Sequence, residues 1–254
     1  MTVEINVILV RAICLVLGLA FGLFQTGYIV GKAYGIDLRQ YGSGNSGTTN
    51  AVRVLGTKQG LLVLAGDAAK TLIAMLIVYF TFGQMEQFKG MKLLLCMYAA
   101  LGAVLSHDFP FYMHFKGGKG IACTAGYCIA ICFFNPWIFI VTFFVFLIPF
   151  LTTHYVSLGS ILVYVALVIE FILYGQMQWF GFWDGQIYDQ SVLIEVYVIM
   201  FILAALAIFL HRKNIVRLVK GEENKTYLVK KHRDAYNAAK AAKEAEKNAG
   251  ENKA

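Results

Sequence analysis

The chain has 254 residues, 59% of them hydrophobic, with a formal net charge of +7 and a mean hydropathy of +0.64. Ordinary soluble domains carry about 45–50% apolar residues, so the composition excludes that class and predicts an all-α polytopic membrane protein. The positive balance does not mark a nucleic-acid binder: residues 211–254 hold twelve Lys or Arg against six Asp or Glu, which accounts for six of the seven net charges.

About 20 mostly apolar residues are needed to cross the hydrocarbon core. Hydropathy predicts about seven transmembrane helices, at 3–30, 60–82, 91–106, 119–134, 136–152, 158–176 and 191–210. The first run, "VILVRAICLVLGLAFGLF", carries Arg11 and no small-residue cleavage site, so it is expected to stay in the mature chain. Asp67 and Lys70, three residues apart inside the second run, are expected to pair with each other, because intramembrane ions are costly alone. Arg11 and Glu170 have no partner that the sequence names. At 135–137, "NPW" splits one long apolar run in two, since Pro136 cannot continue a helix but suits a new start. Five cysteines, at 14, 96, 123, 128 and 132, lie in or beside apolar runs without metal-ligand spacing and are read as buried, inert thiols. No metal and no cofactor is expected.

Orientation follows from the excess of Lys and Arg in short cytoplasmic loops. Seven helices put Lys32, Arg39, Arg53, Lys58, Lys116, Lys119 and the basic C-terminal segment on one side, and only Lys89 and Lys92, beside Glu86, Asp184 and Asp189, on the other. The N-terminus is therefore expected outside and the C-terminus in the cytoplasm. Residues 1–210 read as an integral membrane core, 211–225 as a cytoplasmic active-site motif, and 226–254 as a charged tail, frayed or disordered, without an apolar face to bury.

Four polar segments fall on the same membrane face. In "YGSGNSGTTNAVRVLG", 41–56, glycines permit close ligand approach while Ser43, Asn45, Thr49 and Asn50 offer hydrogen bonds. Arg53 follows Asn50 at helical spacing, with a guanidinium suited to bidentate phosphate contact. Such a loop is also compatible with an ordinary turn. "KGGKG", 116–120, sets Lys116 and Lys119 around Gly117 and Gly118 just before an apolar helix, so that amide donors, helix dipole and ammonium groups converge on one anion; a flexible positive-inside loop is the plainer alternative. His107 and His114 bracket the "DFPF" turn. In "THYVSLGS", 153–160, Ser157 and Ser160 open a helix and a capping role is adequate for them. In "HRKNIVRLVKGEENK", His211, Asn214 and Arg217 recur on one helical face.

Together these motifs resemble the bacterial membrane family of acyl-phosphate-dependent glycerol-3-phosphate acyltransferases. "GSGNSGTTNAVRVLG" is similar to the family's first motif, "FPFYMHFKGGKGIACT" to its second and "HRKNIVRLVKGEENK" to its third, with "GDAAK" and "YVSLGS" similar to secondary signatures. The resemblance runs from the first helix to about Lys225. It implies a seven-helix fold in the bacterial inner membrane with a cytoplasmic site, and transfer of a fatty acyl group from acyl phosphate to the 1-hydroxyl of sn-glycerol 3-phosphate. The products are lysophosphatidic acid, for phospholipid synthesis, and phosphate. The donor is neither acyl-CoA nor acyl carrier protein, and the family lacks the HxxxxD motif of unrelated acyltransferases; here Tyr112 stands five residues after His107. By motif position the resemblance implies catalytic roles for Ser43, Arg53, Lys119, His211, Asn214 and Glu223. Gly44, Asn45, Thr49, Asn50, Lys116, Gly117, Gly118 and Ser157 are expected to bind substrate or phosphate. Departures from the family pattern are His154, where an arginine often precedes "YVSL", Thr71, where glycine is usual after "DxxK", and Cys123 near "GKG".

Acyl phosphate is an activated mixed anhydride, so no covalent acyl-enzyme is expected. The tasks are to hold two phosphate-bearing molecules together, aim a hydroxyl and stabilise the departing phosphate. The proton acceptor is either His211 or a substrate phosphate oxygen. Expected partners are glycerol 3-phosphate, acyl phosphate and membrane lipid, and the chain is expected to act as a monomer. A transporter of a phosphorylated molecule would also need cations, but no internal repeat is visible and the polar motifs gather at one face. A headgroup transferase would require an acidic metal-binding signature that the sequence lacks.

Overall fold

In a computed structural model, which describes residues 6–229 and Asp234, the chain is a helical bundle with no strand among the described residues. Among residues 6–229 ten α-helices follow in order: α1 (Val7–Gly22), α2 (Thr26–Ala33), α3 (Thr48–Val54), α4 (Thr57–Phe80), α5 (Lys92–Asp108), α6 (Ile121–Ile131), α7 (Pro136–Thr153), α8 (Val156–Gln176), α9 (Gln190–Leu210) and α10 (Arg212–Val219). Among the described residues six stretches are long and apolar enough to cross a membrane: Val7–Ala33, Thr57–Gln84, Glu86–Met113, Pro136–Thr153, Val156–Gln176 and Gln190–Leu210. The remaining apolar segment, expected at 119–134, forms only the 11 residues of α6. At 1.5 Å per residue it reaches about half the hydrocarbon thickness. It sits close against α4, where a β-carbon on Gly126 would lie 2.1 Å from the Ala68 carbonyl oxygen.

α5 is the central helix. Fifteen of its seventeen residues are buried, which is what an all-round apolar helix requires, and it packs against α1, α4, α6 and α9. Its closest neighbour is α1. Gly18 and Gly22 form a small-residue stripe there, and a β-carbon on Gly18 would lie 2.0 Å from the Ala99 carbonyl oxygen, so the backbones approach as only glycine allows. Helix α7 begins where the proline predicts: Pro136 occupies its first turn, and the Asn135 side chain caps it by accepting from the Trp137 N–H at 2.9 Å.

The first apolar run is interrupted between α1 and α2, a break that no proline announces. Its freed carbonyls are taken by tertiary partners: Gln25 Nε2 donates to Gly22 O at 3.1 Å, and Lys70 Nζ donates to Gly22 O and Phe24 O at 3.2 and 2.7 Å. Lys70 also pairs with Asp67 at 3.0 Å, both fully buried, as their spacing predicts. The partner of Arg11 is Glu195 on α9 at 2.6 Å, a carboxylate that also accepts from the Tyr98 hydroxyl. Glu170 accepts from Thr142 at 3.1 Å. All five cysteines are free, and four are buried.

The two ends of the bundle differ in their loops. Residues 84–92, 132–136 and 177–190 meet at one end through Lys92–Asp184 and Asn135–Trp179 contacts. The four polar segments meet at the other. There residues 222–229 lie against the bundle: Thr226 N–H donates to His154 O at 2.9 Å, and Thr57 Oγ1 donates to Leu228 O at 2.7 Å. Apart from Asp234, the charged tail expected beyond Val229 lies outside the described residues.

Candidate active site

A cavity of about 500 Å³ opens at the polar end, and every candidate residue named above from its motif lines it: Ser43, Gly44, Asn45, Thr49, Asn50, Arg53, Lys116, Gly117, Gly118, Lys119, Ser157, His211, Asn214 and Glu223. His107 also lines it, whereas His114, exposed and in the left-handed region at the end of a short turn, does not.

The first loop is shaped by Asn50, which is buried at the start of α3. Its Nδ2 donates to the carbonyls of Leu38, Tyr41 and Asn45 at 2.8–3.0 Å, and its Oδ1 accepts from the Ser43 N–H at 2.9 Å. The amide is thus occupied in holding the loop, leaving Ser43 exposed at the cavity mouth. Asn45 joins this loop to the second motif: its Oδ1 accepts from Gly47 N–H at 2.8 Å while its Nδ2 donates to Gly117 O at 3.1 Å.

The glycines of "KGGKG" have a different reason from the expected one. Their amides, read from sequence as anion donors, are already taken: Gly117 N–H by Asp108 O and Gly118 N–H by His107 O, both at 3.1 Å. Glycine is needed because the loop runs against the end of α5, where a β-carbon on Gly118 would lie 1.9 Å from His107 Nε2. The open donors at this point belong to the first turn of α6, at Ile121 and Ala122, which line the cavity behind Lys119.

The third motif closes the site. Lys119 Nζ hydrogen-bonds Asn214 Oδ1; Asn214 Nδ2 donates to Glu223 Oε1 at 2.8 Å, and Arg217 Nε donates to Glu223 Oε2 at 2.7 Å. Arg53 reaches across to this segment, its Nη2 donating to Asn224 O at 3.0 Å and Thr226 Oγ1 at 2.9 Å. Burial, then the neighbouring Arg217, pull the Lys119 ammonium down to about 8, with Arg53 and Arg212 adding to the effect and Glu223 opposing it. Lys119 therefore remains mostly charged at neutral pH while lying in a field that favours an incoming anion. His211 is pulled down to about 4 by burial and by Lys119. Its Nδ1 lies 2.8 Å from Ala207 O. A neutral imidazole placed so carries its proton on Nδ1, directed at that carbonyl, and presents Nε2 as an acceptor.

Several participants escaped the sequence reading. Asp108, beside the histidine that drew attention, lines the cavity with neither carboxylate oxygen hydrogen-bonded among the described residues. Thr226, outside the motif as read, clamps Arg53. His154, at the position of the unusual substitution, supplies its backbone carbonyl to Thr226 and packs its ring 4.5 Å from that of Tyr227. His107 is held in place by Lys70 at 2.8 Å.

Residues 12–221 match the family model described as glycerol-3-phosphate acyltransferase. The glycerol-3-phosphate acyltransferase of Chlorobaculum tepidum is 37% identical over 221 residues, covering 83% of this chain and 94% of that relative. Its counterpart from Bacillus subtilis is 35% identical over 215 residues, covering 84% and 96%. The crystal structure of PlsY (YgiH), an integral membrane glycerol 3-phosphate acyltransferase, in its glycerol 3-phosphate form is similar with a TM-score of 0.69 at 33% identity, covering 85% of this chain and 96% of that one. The lysphosphatidic acid form of the same protein gives 0.68 at 30% identity, covering 86% and 96%. These matches, in agreement with the helical bundle, show that the chain belongs to the glycerol-3-phosphate acyltransferase family.

Proposed function

We propose that the protein transfers a fatty acyl group from acyl phosphate to the 1-hydroxyl of sn-glycerol 3-phosphate, releasing lysophosphatidic acid and phosphate. On this reading the site faces the cytoplasm of a bacterial inner membrane, the N-terminus lies outside, and the chain works as a monomer without metal or cofactor. The observation that carries it is the convergence of Arg53, Lys116 and Lys119 on one cavity whose wall also includes the apolar Ile121, Val156, Phe209 and Leu210. Two phosphates repel each other; three cations in one concave space offset that repulsion, and the apolar wall suits a donor whose chain stays in the bilayer.

In the proposed mechanism the hydroxyl oxygen attacks the acyl carbonyl carbon and the bond to the phosphate oxygen breaks. The electron pair leaves with phosphate, whose charge Lys119 and Arg53 stabilise. The hydroxyl proton goes to a basic atom nearby. A histidine titrating near 4 is a weak base at neutral pH, so a substrate phosphate oxygen suits that task better, and His211 Nε2 serves to orient the hydroxyl. Ser43 lies at the mouth to aim the same group, while Glu223 restrains Asn214 and Arg217.

The test is purified protein given labelled glycerol 3-phosphate with either acyl phosphate or acyl-CoA. Lysophosphatidic acid formed from acyl phosphate alone is the expected result. Product from acyl-CoA alone would overturn the donor assignment, and no product from either would favour transport over catalysis.

A further inference from the structure

We infer that Asp108 is the group that recognises the secondary hydroxyl of glycerol 3-phosphate, an inference that takes its ligand from the reading above. Asp108 ends α5, is 2% exposed and lines the cavity. Neither of its carboxylate oxygens has a hydrogen-bond partner among the described residues. The other two carboxylates of the cavity are already occupied. Asp67 is held through Oδ1 by Lys70 at 3.0 Å and by the Thr26 N–H at 3.3 Å, and Glu223 through both oxygens by Asn214 and Arg217. Among the described residues Asp108 is therefore the acidic lining group whose carboxyl makes no hydrogen bond at all, and leaving a buried carboxyl without donors is costly. Gly120 faces it: a β-carbon there, at a positive φ of 75°, would lie 3.5 Å from Asp108 Oδ1. That β-carbon would also lie 3.0 Å from Val104 Cγ1 and 3.2 Å from the Tyr164 hydroxyl, so this side is closed and a ligand reaches the carboxyl from the cavity it lines.

The chemistry of the ligand decides which of its groups meets the carboxyl. Phosphate groups find better places at Arg53, Lys116 and Lys119, which line the same cavity. The glycerol hydroxyls are the donors that remain. The primary hydroxyl loses its proton when it is acylated, and a base there must hand that proton on. Among the described residues no side chain is hydrogen-bonded to Asp108 to receive it. A fixed acceptor suits the secondary hydroxyl, which keeps its proton through the reaction. Asp108 then distinguishes glycerol 3-phosphate from simpler phosphomonoesters and helps set which primary hydroxyl faces the donor.

The experiment compares glycerol 3-phosphate with propane-1,3-diol monophosphate, which keeps the phosphate and a primary hydroxyl and lacks the secondary one. Binding of each to the whole protein is measured by calorimetry without any donor, and kcat/KM is measured with acyl phosphate. In the wild type, glycerol 3-phosphate should bind about 10- to 100-fold more tightly, the range for pairing one buried polar group that is otherwise left unsatisfied. Asp108→Ala should remove most of that difference while leaving the diol phosphate within about threefold of its wild-type affinity. Asp108→Asn, which keeps one acceptor oxygen and serves if the alanine variant does not fold, should retain part of the preference. Equal losses on both ligands, or a wild type that binds both alike, would overturn the inference. A wild type that discriminates between them yet makes no ester would overturn the acyl-transfer reading and leave the role of Asp108 standing.

Discussion

The two ends of the bundle treat charge in opposite ways. At the end built from residues 84–92 and 177–190, each lysine has a carboxylate: Lys89 pairs with Glu86 at 2.5 Å and Lys92 with Asp184 at 3.3 Å. At the cavity end Arg53, Lys116, Lys119, Arg212, Lys213 and Arg217 line the same space as only three carboxylates, Asp67, Asp108 and Glu223. Charge matching is what a loop region needs for stability alone. A surplus of cations around a concavity instead works against itself: burial lowers Lys119 most, and the neighbouring Arg217 lowers it further, a perturbation of the kind that clusters at functional sites. The contrast singles out the cavity end as the candidate site without reference to any relative.

The largest effect should come from removing that surplus. Lys119→Ala or Arg53→Ala is expected to lower kcat/KM for acyl transfer by about 100-fold or more, as for loss of one preorganised transition-state donor, while the protein still inserts and purifies. Normal turnover in either variant would break the comparison. Next in size is the buried pair beneath the cavity. Lys70→Met strands Asp67 in the bundle and also frees the carbonyls of Gly22 and Phe24; loss of one member of a buried pair costs about 3–5 kcal/mol. Thermal unfolding in detergent should show it, with partial recovery when Asp67→Leu is added.

The titrations sharpen the same contrast. His211 is about 4 in the folded protein against an ordinary 6.5, so the unfolded chain takes up the proton first on acidification. Its contribution to stability is present above 6.5 and is lost as pH falls toward 4, on the order of 3 kcal/mol in all. His211→Gln should flatten that acid limb in a melting series. Lys119 is shifted to about 8 and carries the opposite consequence for activity: turnover should decline as pH rises through about 8 and the ammonium is lost. Lys119→Arg, charged throughout, should abolish that alkaline decline even where its absolute rate is lower. An unchanged limb would remove Lys119 from the phosphate-binding set.

What was readable in the sequence was local. Asp67 and Lys70 share a helix three residues apart, and Pro136 punctuates an apolar run, so both readings needed only neighbouring residues. The polar motifs stood out because the rest of the chain is apolar, which is why their residues were found before they were seen to share a cavity. Contacts closed across the fold were out of reach. Arg11 meets Glu195 at a separation of 184 residues, and Arg53 meets Thr226 at 173. The break at Leu23–Gln25 is made by Lys70 and Gln25 capturing carbonyls, not by a helix-breaking residue. Gly117 and Gly118 were read for their amides, but it is the missing side chains against His107 that require them. Asp108 gave no signal because an acidic residue beside a histidine is ordinary until its oxygens are seen without partners.

The smallest expected effect lies at the opposite end, and it tests the contrast from its quiet side. Asp184 is half exposed, so its pair with Lys92 is screened by solvent and worth at most about 1 kcal/mol. Lys92 keeps a second partner, since its ammonium also lies 5.0 Å from the centre of the Tyr79 ring. Asp184→Ala should therefore lower the melting temperature by only about 2–4 °C and leave kcat/KM within about twofold of wild type. A loss of activity comparable to that of Lys119→Ala would mean that the paired end takes part in the reaction, and the difference between the two ends would no longer separate stability from function.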